Sequence, residues 1–399
     1  MRRLKVTNME SQLELKIKLV AIAKDEAAYL PEWIFHHLYF GFDAIDIYVN
    51  NTTDNTHELS QYLAPLESVS FIDGDSYFLS GLKTPQQNVY SGAFTKAKEQ
   101  GFSHIMFLDI DEFWTPLDMS TTIKDCLNLL MADVISFEWL NKFEDNKFSP
   151  ALESKISGEH HRLVKTLMSL NLNSEKLDIH NIEVEGAINV LADGTKPIFS
   201  DGNQQLSKVG EIKPYLIIHR MYRSSLEYVS LLGRGRPRGG GVFKDNRNGF
   251  CFLEYEFKTI QLPIDKIKEY NLQKESFLKI YTTNSYFIKA HLFIEKRFND
   301  VLSLIESSSL SEFKVIRKVL RNINLSEVNF SFATYLQEVC KHLSGDVTDN
   351  LRNAAVILEK RDLYKSLKMM EVASELRPNG PFIIKKIAQY KKEISRNTD

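Results

Sequence analysis

The sequence predicts an α/β protein with a mostly parallel, doubly wound sheet and an α-helical C-terminal region. Two observations predict the sheet. Short, β-rich apolar runs alternate with amphipathic segments over residues 17–139, and a cluster of polar residues follows most of these runs. The helical region is predicted from about residue 265 onwards, where the apolar residues follow helical spacing to the end of the chain.

Apolar residues at helical spacing follow the first predicted strand, 17–23, and predict a helix over 26–40. Pro31 falls in the first turns of that helix, where proline is tolerated, and Gly41 is well placed to end it. The remaining predicted elements are a strand at 44–49, a helix at about 57–64, a strand at 69–72, a helix at about 85–100, a strand at 104–109, a helix near 121–131 and a strand at 134–139.

Composition and charge exclude several classes of protein. The chain has 399 residues, enough for two domains, and its 50 Lys and Arg against 52 Asp and Glu give no net charge that would attract nucleic acid. Its three cysteines, Cys126, Cys251 and Cys340, form neither a disulfide framework nor a zinc pattern. No apolar stretch is long enough to cross a bilayer. We therefore expect a cytoplasmic protein, and peripheral contact with the inner face of a membrane stays open.

Three carboxylates follow the predicted strand at 104–109, in the segment Asp109-Ile110-Asp111-Glu112. Ionised carboxylates are not stable in a dry interior, so these groups must face water, a cation or both. Two Asp residues separated by one supply hard oxygen ligands, which suit Mg²⁺ or Mn²⁺ held together with substrate phosphates. An ordinary polar turn after a strand is the alternative interpretation.

Polar segments also follow three earlier predicted strands, at Lys24-Asp25-Glu26, at 50–56 and at 73–75. The carboxyl ends of parallel strands lie at one edge of a sheet, which is where ligands of such sheets bind. We therefore expect these segments and the carboxylates after residue 108 to form one site. Residues 141–250 follow no simple period, and we expect a short sheet there with loops packed over the cleft.

Residues 350–395 resemble a tetratricopeptide unit, with two helices closed by Leu376-Arg377-Pro378 and followed by a third. One such unit cannot bury its apolar face alone. It must pack on the N-terminal domain, on a second unit formed by 310–345, or on a protein partner. An ordinary helical cap is the alternative.

Eight motifs occur in order along residues 17–236. They are Val20-Ala21-Ile22-Ala23-Lys24-Asp25-Glu26, Leu30-Pro31-Glu32-Trp33-Ile34, Asn50-Asn51 with Asp54, Phe107-Leu108-Asp109-Ile110-Asp111-Glu112-Phe113, Val164-Lys165-Thr166, Ile179-His180-Asn181, Ile218-His219-Arg220 and Arg234-Gly235. In these motifs residues 17–236 resemble the family 2-like glycosyltransferases, which have the type A nucleotide-sugar transferase fold, near glycosyltransferase family 92. We therefore expect two domains, a nucleotide-sugar glycosyltransferase domain at 1–262 and a helical region at 263–399.

The resemblance also implies roles for individual residues. Asp109, Asp111 and His219 would bind Mn²⁺ or Mg²⁺, with Asp111 the stronger candidate for direct ligation. The predicted donor-binding residues are Asp25, Glu26, Asp54, Gln87, Asp109, Lys165 and Arg234, with Arg236 as a further phosphate contact. The candidates for the catalytic base that deprotonates the acceptor are Glu138, which we favour, Glu144, Asp145 and Asp178.

The predicted function is a metal-dependent, inverting glycosyltransferase that moves a sugar from a nucleotide-diphosphate donor, with UDP-sugars favoured, to a glycan or glycolipid acceptor. Synthesis of a cell-surface polysaccharide or lipopolysaccharide is the expected context. A sugar nucleotidyltransferase would need a glycine-rich basic loop after the first strand, where this chain has Lys24-Asp25-Glu26. A non-catalytic scaffold that acts through the helical C-terminal region is the second alternative. Two positions depart from the group's pattern, which has an aromatic residue at Arg220 and a lysine near Leu231-Leu232.

Overall fold

A computed structural model of the chain describes residues 15–79, 84–172, 184, 186–200, 205–234, 243–341 and 346–396. Contacts within the chain divide it into two compact units. The first is Met1–Ser224 with Leu253–Ile294, and the second is Ser225–Phe252 with Glu295–Asp399. All the described strands belong to the first unit, whereas the second is helical. The predicted domains, 1–262 and 263–399, remain a prediction.

The described strands form one mixed sheet. They are β1 (Ile17–Ala23), β2 (Ala44–Val49), β3 (Val69–Asp73), β4 (His104–Phe107), β5 (Glu112–Pro116), β6 (Val134–Lys142), β7 (Lys155–Ser169), β8 (Asn189–Leu191), β9 (Tyr215–His219) and β10 (Glu256–Gln261). Their order in the sheet is β3-β2-β1-β4-β7-β6-β9-β5, with β10 beside β7 and β8 beside β6.

The predicted α/β class and the helical C-terminal region are confirmed, but the sheet is mixed rather than mostly parallel. Strands β1 to β4 pair in parallel. Beyond them, β7 pairs antiparallel with β4, β6 and β10, and β5 pairs antiparallel with β9. The 15-residue β7 lies inside the region that was expected to be irregular. Its sequence has no continuous apolar run. Several of its buried side chains are polar, and some of them pair with residues of a neighbouring strand.

Twelve α-helices occur in the part of the chain that the structure describes. They are α1 (Leu30–Tyr39), α2 (Thr56–Tyr62), α3 (Pro85–Glu99), α4 (Ile123–Leu130), α5 (Ser225–Leu232), α6 (Ile264–Tyr281), α7 (Asn284–Glu306), α8 (Phe313–Val319), α9 (Ser326–Lys341), α10 (Val347–Leu358), α11 (Leu363–Leu376) and α12 (Pro381–Arg396). Pro31 and Pro85 lie in the first turns of α1 and α3, where the missing N–H costs nothing.

Helices α10, α11 and α12 pack against one another in chain order, as the sequence predicts for 350–395. Their assignment to the tetratricopeptide class stays a prediction. None of the helices in the described ranges is both long enough and apolar enough to span a membrane.

Candidate functional site

Polar loops follow the four parallel strands at one edge of the sheet. Because β1, β2, β3 and β4 run in the same direction, the segments after Ala23, Val49, Asp73 and Phe107 leave the sheet at the same edge. Hydrogen bonds join neighbouring loops there. The backbone N–H of Asn51, for example, donates to Asp75 Oδ1 at 2.6 Å.

Two of the carboxylates predicted to bind a donor hold these loops together. Asp25 Oδ1 accepts hydrogen bonds from the backbone N–H and the hydroxyl of Thr53, at 2.7 and 3.1 Å. Asp54 Oδ2 accepts from the backbone N–H of Ala27 at 2.8 Å, while its Oδ1 accepts from the hydroxyl of Thr56 at 2.6 Å. The loop after β1 and the loop after β2 are thus tied to each other from both sides.

Glu26 and Gln87 occupy different surroundings. Glu26 is buried and pairs with Arg223 Nη2 at 3.1 Å, and the Arg223 guanidinium lies 3.4 Å from the ring centre of Tyr29. Gln87 is half-buried in the first turn of α3. The donor-binding roles of these two residues and of Asp25 and Asp54 stay predictions.

The carboxylate segment after β4 is a tight turn that leads directly into β5. The backbone N–H of Glu112 donates to the carbonyl of Asp109 at 3.0 Å, and the Glu112 side chain accepts from the Asp109 N–H at 2.9 Å. Trp33 Nε1 on α1 donates to the Glu112 carbonyl at 2.8 Å, and the Arg220 N–H donates to the Asp111 carbonyl at 2.7 Å. The turn is therefore fixed from two sides, with Asp109 and Asp111 partly exposed and Glu112 buried.

Lys165 lies beneath this turn. Its side chain is fully buried, and Nζ lies 3.1 Å from both Asp109 Oδ2 and Glu112 Oε2. The register explains the position. Met106 pairs with Leu167 across β4 and β7, so Lys165, two residues earlier on the antiparallel strand, lies level with the end of β4. Burial alone would lower the pKa of the Lys165 ammonium, but the carboxylates of Asp109 and Glu112 hold it above its ordinary value.

Lys165 thus contacts two of the turn's three carboxylates, those of Asp109 and Glu112. Burial raises the pKa of the Glu112 carboxyl well above its ordinary value, and the charges of Asp109 and Asp111 raise it further, although Lys165 opposes them. Among the described residues, Glu112 Oε1 has no hydrogen-bond partner. The partly exposed carboxylates of Asp109 and Asp111 are the oxygen ligands of the turn that a cation could reach.

A chain of hydrogen bonds orients His219 towards Asp111. The Glu159 carboxylate accepts from Asn141 Nδ2 at 3.0 Å, which turns the Asn141 amide oxygen towards His219 Nδ1, also at 3.0 Å. The neutral imidazole therefore has its proton on Nδ1 and its lone pair on Nε2. His219 Nε2 lies 3.7 Å from Asp111 Oδ1. A second hydrogen bond that fixes the tautomer in this way is usual for a histidine that binds a metal.

Cross-strand register produces this chain. Asn141 on β6 is paired with Glu159 on β7 and with His219 on β9, so the three side chains stand in one row across the sheet. Glu159 Oε1 also accepts hydrogen bonds from the backbone N–H groups of Glu254 and Tyr255, at 2.5 and 2.7 Å. Asn141 and Glu159 were not predicted as site residues. A polar residue within a strand gives no signal of its own until its cross-strand partners are known.

The candidate catalytic bases have different surroundings. Glu138 is 1% exposed, and its carboxylate lies 3.5 Å from His160 Nε2. It pairs with Val164, whereas Phe137 pairs with Lys165, so Glu138 and Lys165 lie on opposite faces of the sheet. Glu144 forms an ion pair with Arg220 at 2.7 Å. The role of Glu138 as the base stays a prediction.

Other predicted residues are not part of this row. Arg234 is half-buried in the turn after α5, in the second unit, and its contact with a donor remains a prediction. His180, Asp178 and Arg236 lie outside the described residues. Within the described ranges, no group of three or more His, Cys, Asp and Glu side chains has the arrangement of a metal site.

Comparisons with known proteins give no family for this chain. No family model matches it, and no curated protein matches it. The similar solved structures include HddC from Yersinia pseudotuberculosis, with 11% identity over 45% of this chain and 91% of that chain, at a TM-score of 0.27. They also include a cytidylyltransferase from Leptospira borgpetersenii serovar Hardjo-bovis (strain JB197), with 11% identity over 56% of this chain and 88% of that chain, at a TM-score of 0.28. TM-scores this low carry no argument about function.

Proposed function

We propose that this chain is a glycosyltransferase that uses a nucleotide-diphosphate sugar and a divalent cation, Mn²⁺ or Mg²⁺. The observation that carries the proposal is the arrangement after β4, where a turn rich in carboxylates faces a histidine of fixed tautomer. Asp111 Oδ1 and His219 Nε2 are 3.7 Å apart, a separation that allows both atoms to bind one cation.

The chemistry of the donor set fits such a cation. Carboxylate oxygens suit both Mg²⁺ and Mn²⁺, and the remaining positions of the ion can be filled by diphosphate oxygens and water. We assign Asp111 and His219 as the protein ligands, with Asp109 beside them. When bound, the cation would neutralise the diphosphate as negative charge develops on this leaving group.

The chain's own residues prepare the site for that chemistry. Lys165 holds Asp109 in place through an ion pair in which Nζ lies 3.1 Å from Oδ2. Asn141 keeps the Nε2 lone pair of His219 directed towards Asp111. Lys165 and Asn141 are fixed by strand pairing rather than by mobile loops, which is what precise positioning of a leaving diphosphate requires. The finer proposals, a UDP-sugar donor, inversion at the anomeric carbon and a surface-glycan acceptor, follow from the resemblance alone.

A screen of nucleotide sugars with Mn²⁺ tests the proposal. We expect the full chain to release a nucleoside diphosphate from one of the donors, because slow hydrolysis accompanies glycosyl transfer. The variant Asp111→Asn should lower this rate by about 100-fold or more, because a neutral amide replaces a charged ligand at nearly the same shape. The matched control is Asp265→Asn, which removes a carboxylate that is 97% exposed on α6 and should leave the rate unchanged.

Three outcomes count against a glycosyltransferase. One is the absence of turnover and binding for all donors. Another is an Asp111→Asn variant with the rate of the wild type. The third is release of pyrophosphate from a nucleoside triphosphate in the presence of a sugar phosphate, which would identify a nucleotidyltransferase instead.

A further inference from the structure

A cavity of about 980 Å³ lies within the second unit, among helices α8, α9, α10 and α11. This volume is at the upper end of what small-molecule sites in proteins enclose. Eleven of its 21 lining residues have apolar side chains, among them Ile323, Phe332, Leu336, Leu358, Leu367 and Met369. Tyr364 and three asparagines, Asn322, Asn324 and Asn329, also line it.

The polar lining of the cavity is strongly cationic. Five of the lining side chains are basic, and a single carboxylate, Asp362, stands among them. The basic residues are Arg317, Arg321, Arg361, Lys365 and Lys368. Lys368 pairs with Glu371 outside the lining, at 3.2 Å. In the described part of the chain no ion pair joins Arg317, Arg321 or Arg361 to a carboxylate.

Lys365 is a largely buried cation of this lining. Its side chain is 13% exposed, with Nζ 3.4 Å from Asp362 Oδ2, 3.4 Å from the carbonyl oxygen of Leu320 and 5.8 Å from the ring centre of Phe332. Burial lowers the pKa of this ammonium, and the positive charges of Arg321 and Arg317 add to the effect, although Asp362 opposes it. A partly desolvated ammonium beside two guanidinium groups is stabilised by an anion more than an exposed lysine is.

Apolar walls and surplus positive charge thus belong to the same cavity. Neither feature alone would specify a ligand, because an apolar cavity accepts any hydrophobic group and surface arginines are common. Together they select a molecule that has an apolar chain and an anionic head group. An acidic peptide fits less well, since each residue of a peptide brings a backbone N–H and C=O, and eleven of the 21 lining residues have no polar side-chain atom to bind them.

We propose that this cavity binds an amphiphile, with its alkyl chain against the apolar walls between α9 and α11 and its phosphate or carboxylate head beside Lys365, Arg321 and Arg317. This site is independent of the transferase proposal, because all of its residues belong to the second unit. A guanidinium can bind either head group in a bidentate manner.

Binding of simple amphiphiles to the full chain tests the proposal. We would titrate dodecyl phosphate, dodecanoate, dodecyl maltoside and dodecyltrimethylammonium, each below its micelle concentration, by isothermal titration calorimetry. We expect saturable binding of one equivalent of an anionic amphiphile, and affinities about tenfold or more weaker for the neutral and cationic ones. The tighter of dodecyl phosphate and dodecanoate identifies the head group. Inorganic phosphate, which has no chain, should bind far more weakly than dodecyl phosphate.

Two variants separate the head-group contact from the apolar contact. Lys365→Met removes a buried charge, keeps the length of the side chain and should weaken binding of the anionic amphiphile by about tenfold or more. Ala333→Phe should block the chain and weaken all four ligands. The matched control is Lys391→Met, a 59% exposed lysine on α12 that pairs with Glu371.

The proposal is overturned if all four amphiphiles bind equally, if Lys365→Met binds the anionic ligand as tightly as the wild type does, or if an acidic peptide saturates the site that the alkyl anions leave empty. Circular dichroism of each variant confirms that its helices are retained.

Discussion

At the scale of single residues, the site depends on how a small number of buried polar groups are paired. Lys165 lies 3.1 Å from the carboxylates of Asp109 and Glu112, and burial raises the pKa of the Glu112 carboxyl well above its ordinary value. Asn141 has no charge, yet it sets the orientation of His219 by linking the histidine to Glu159. Both Lys165 and Asn141 are positioning residues, since they act through Asp109 and His219.

Replacing Asn141 by leucine tests this role. We expect Asn141→Leu to weaken Mn²⁺ binding by about 10- to 100-fold, because His219 loses the partner that keeps its lone pair on Nε2. Glu159 stays paired through the backbone N–H groups of Glu254 and Tyr255, so the fold should persist. Isothermal titration with Mn²⁺ measures the affinity without relying on turnover.

The control for this measurement is Asn146→Leu, which removes an exposed asparagine from the loop after β6 and should leave Mn²⁺ affinity unchanged. If Asn141→Leu bound Mn²⁺ like the wild type, the hydrogen-bond chain would have no part in metal binding.

At the scale of elements, the pairing of β6 with β7 determines where the site residues stand. The register shifts between Glu138 and Trp139, and beyond that shift Asn141 is opposite Glu159. The two strands come very close at Gly158. A Cβ atom at this position would lie 2.0 Å from the carbonyl oxygen of Asn141. Only movement of the backbone could remove this steric clash. The glycine is therefore required for the strand contact that positions Asn141.

We expect Gly158→Ala to destabilise the first unit by about 3 kcal/mol and to weaken Mn²⁺ binding, because the added methyl group pushes β6 away from β7. Denaturant unfolding monitored by tryptophan fluorescence measures the change. The matched control is Gly92→Ala in α3, where a Cβ atom would meet only Tyr77 Oη at 3.5 Å. That variant should stabilise by about 1 kcal/mol, as alanine does in an open helical position. Equal stability of the two variants would show that β6 and β7 are not in close contact.

At the scale of the whole molecule, neutral histidines are part of the core that supports the site. His36 is fully buried on α1, donates from Nε2 to the carbonyl of Trp114 at 2.8 Å and accepts from the Tyr270 hydroxyl at 3.0 Å. Burial lowers the pKa of His36 from its ordinary 6.5 to about 4. His37 beside it is also buried, and its pKa is lowered well below the ordinary value for the same reason.

This burial predicts a loss of stability in mild acid. The unfolded chain binds a proton at His36 near pH 6.5, whereas the folded chain resists it until about pH 4. The stabilisation is therefore complete above pH 6.5 and is lost as the pH falls towards 4. We expect the free energy of unfolding to drop by about 2 kcal/mol between pH 7 and pH 5 through His36 alone.

Unfolding in denaturant at pH 7 and pH 5 measures this difference. In His36→Gln the difference between the two pH values should shrink by about 2 kcal/mol. In the control variant His57→Gln, which changes an exposed histidine of α2, the difference should equal that of the wild type. A His36→Gln variant with an unchanged pH dependence would show that His36 titrates in the folded chain as it does in the unfolded one.

The sequence by itself determined most local elements of the first 140 residues, though not β5, and the helical nature of the chain after residue 264. Those elements have strong periodic patterns and local stop signals, such as Gly41 and Gly101, which both take positive φ. The sequence also identified Asp109, Asp111, Lys165 and His219 as candidates, because these residues belong to short segments that can be recognised without knowing their neighbours.

Only the tertiary structure decided the antiparallel half of the sheet and which residues contact these candidates. Long-range pairing determines which polar residues of β6, β7 and β9 share a row, and shifting a strand by one residue would move every side chain to the other face. For that reason the roles of Asn141, Glu159 and Gly158, and the position of Glu138 away from Lys165, could not follow from sequence spacing. The cationic cavity of the second unit arises in the same way, from residues on separate helices that only packing brings together.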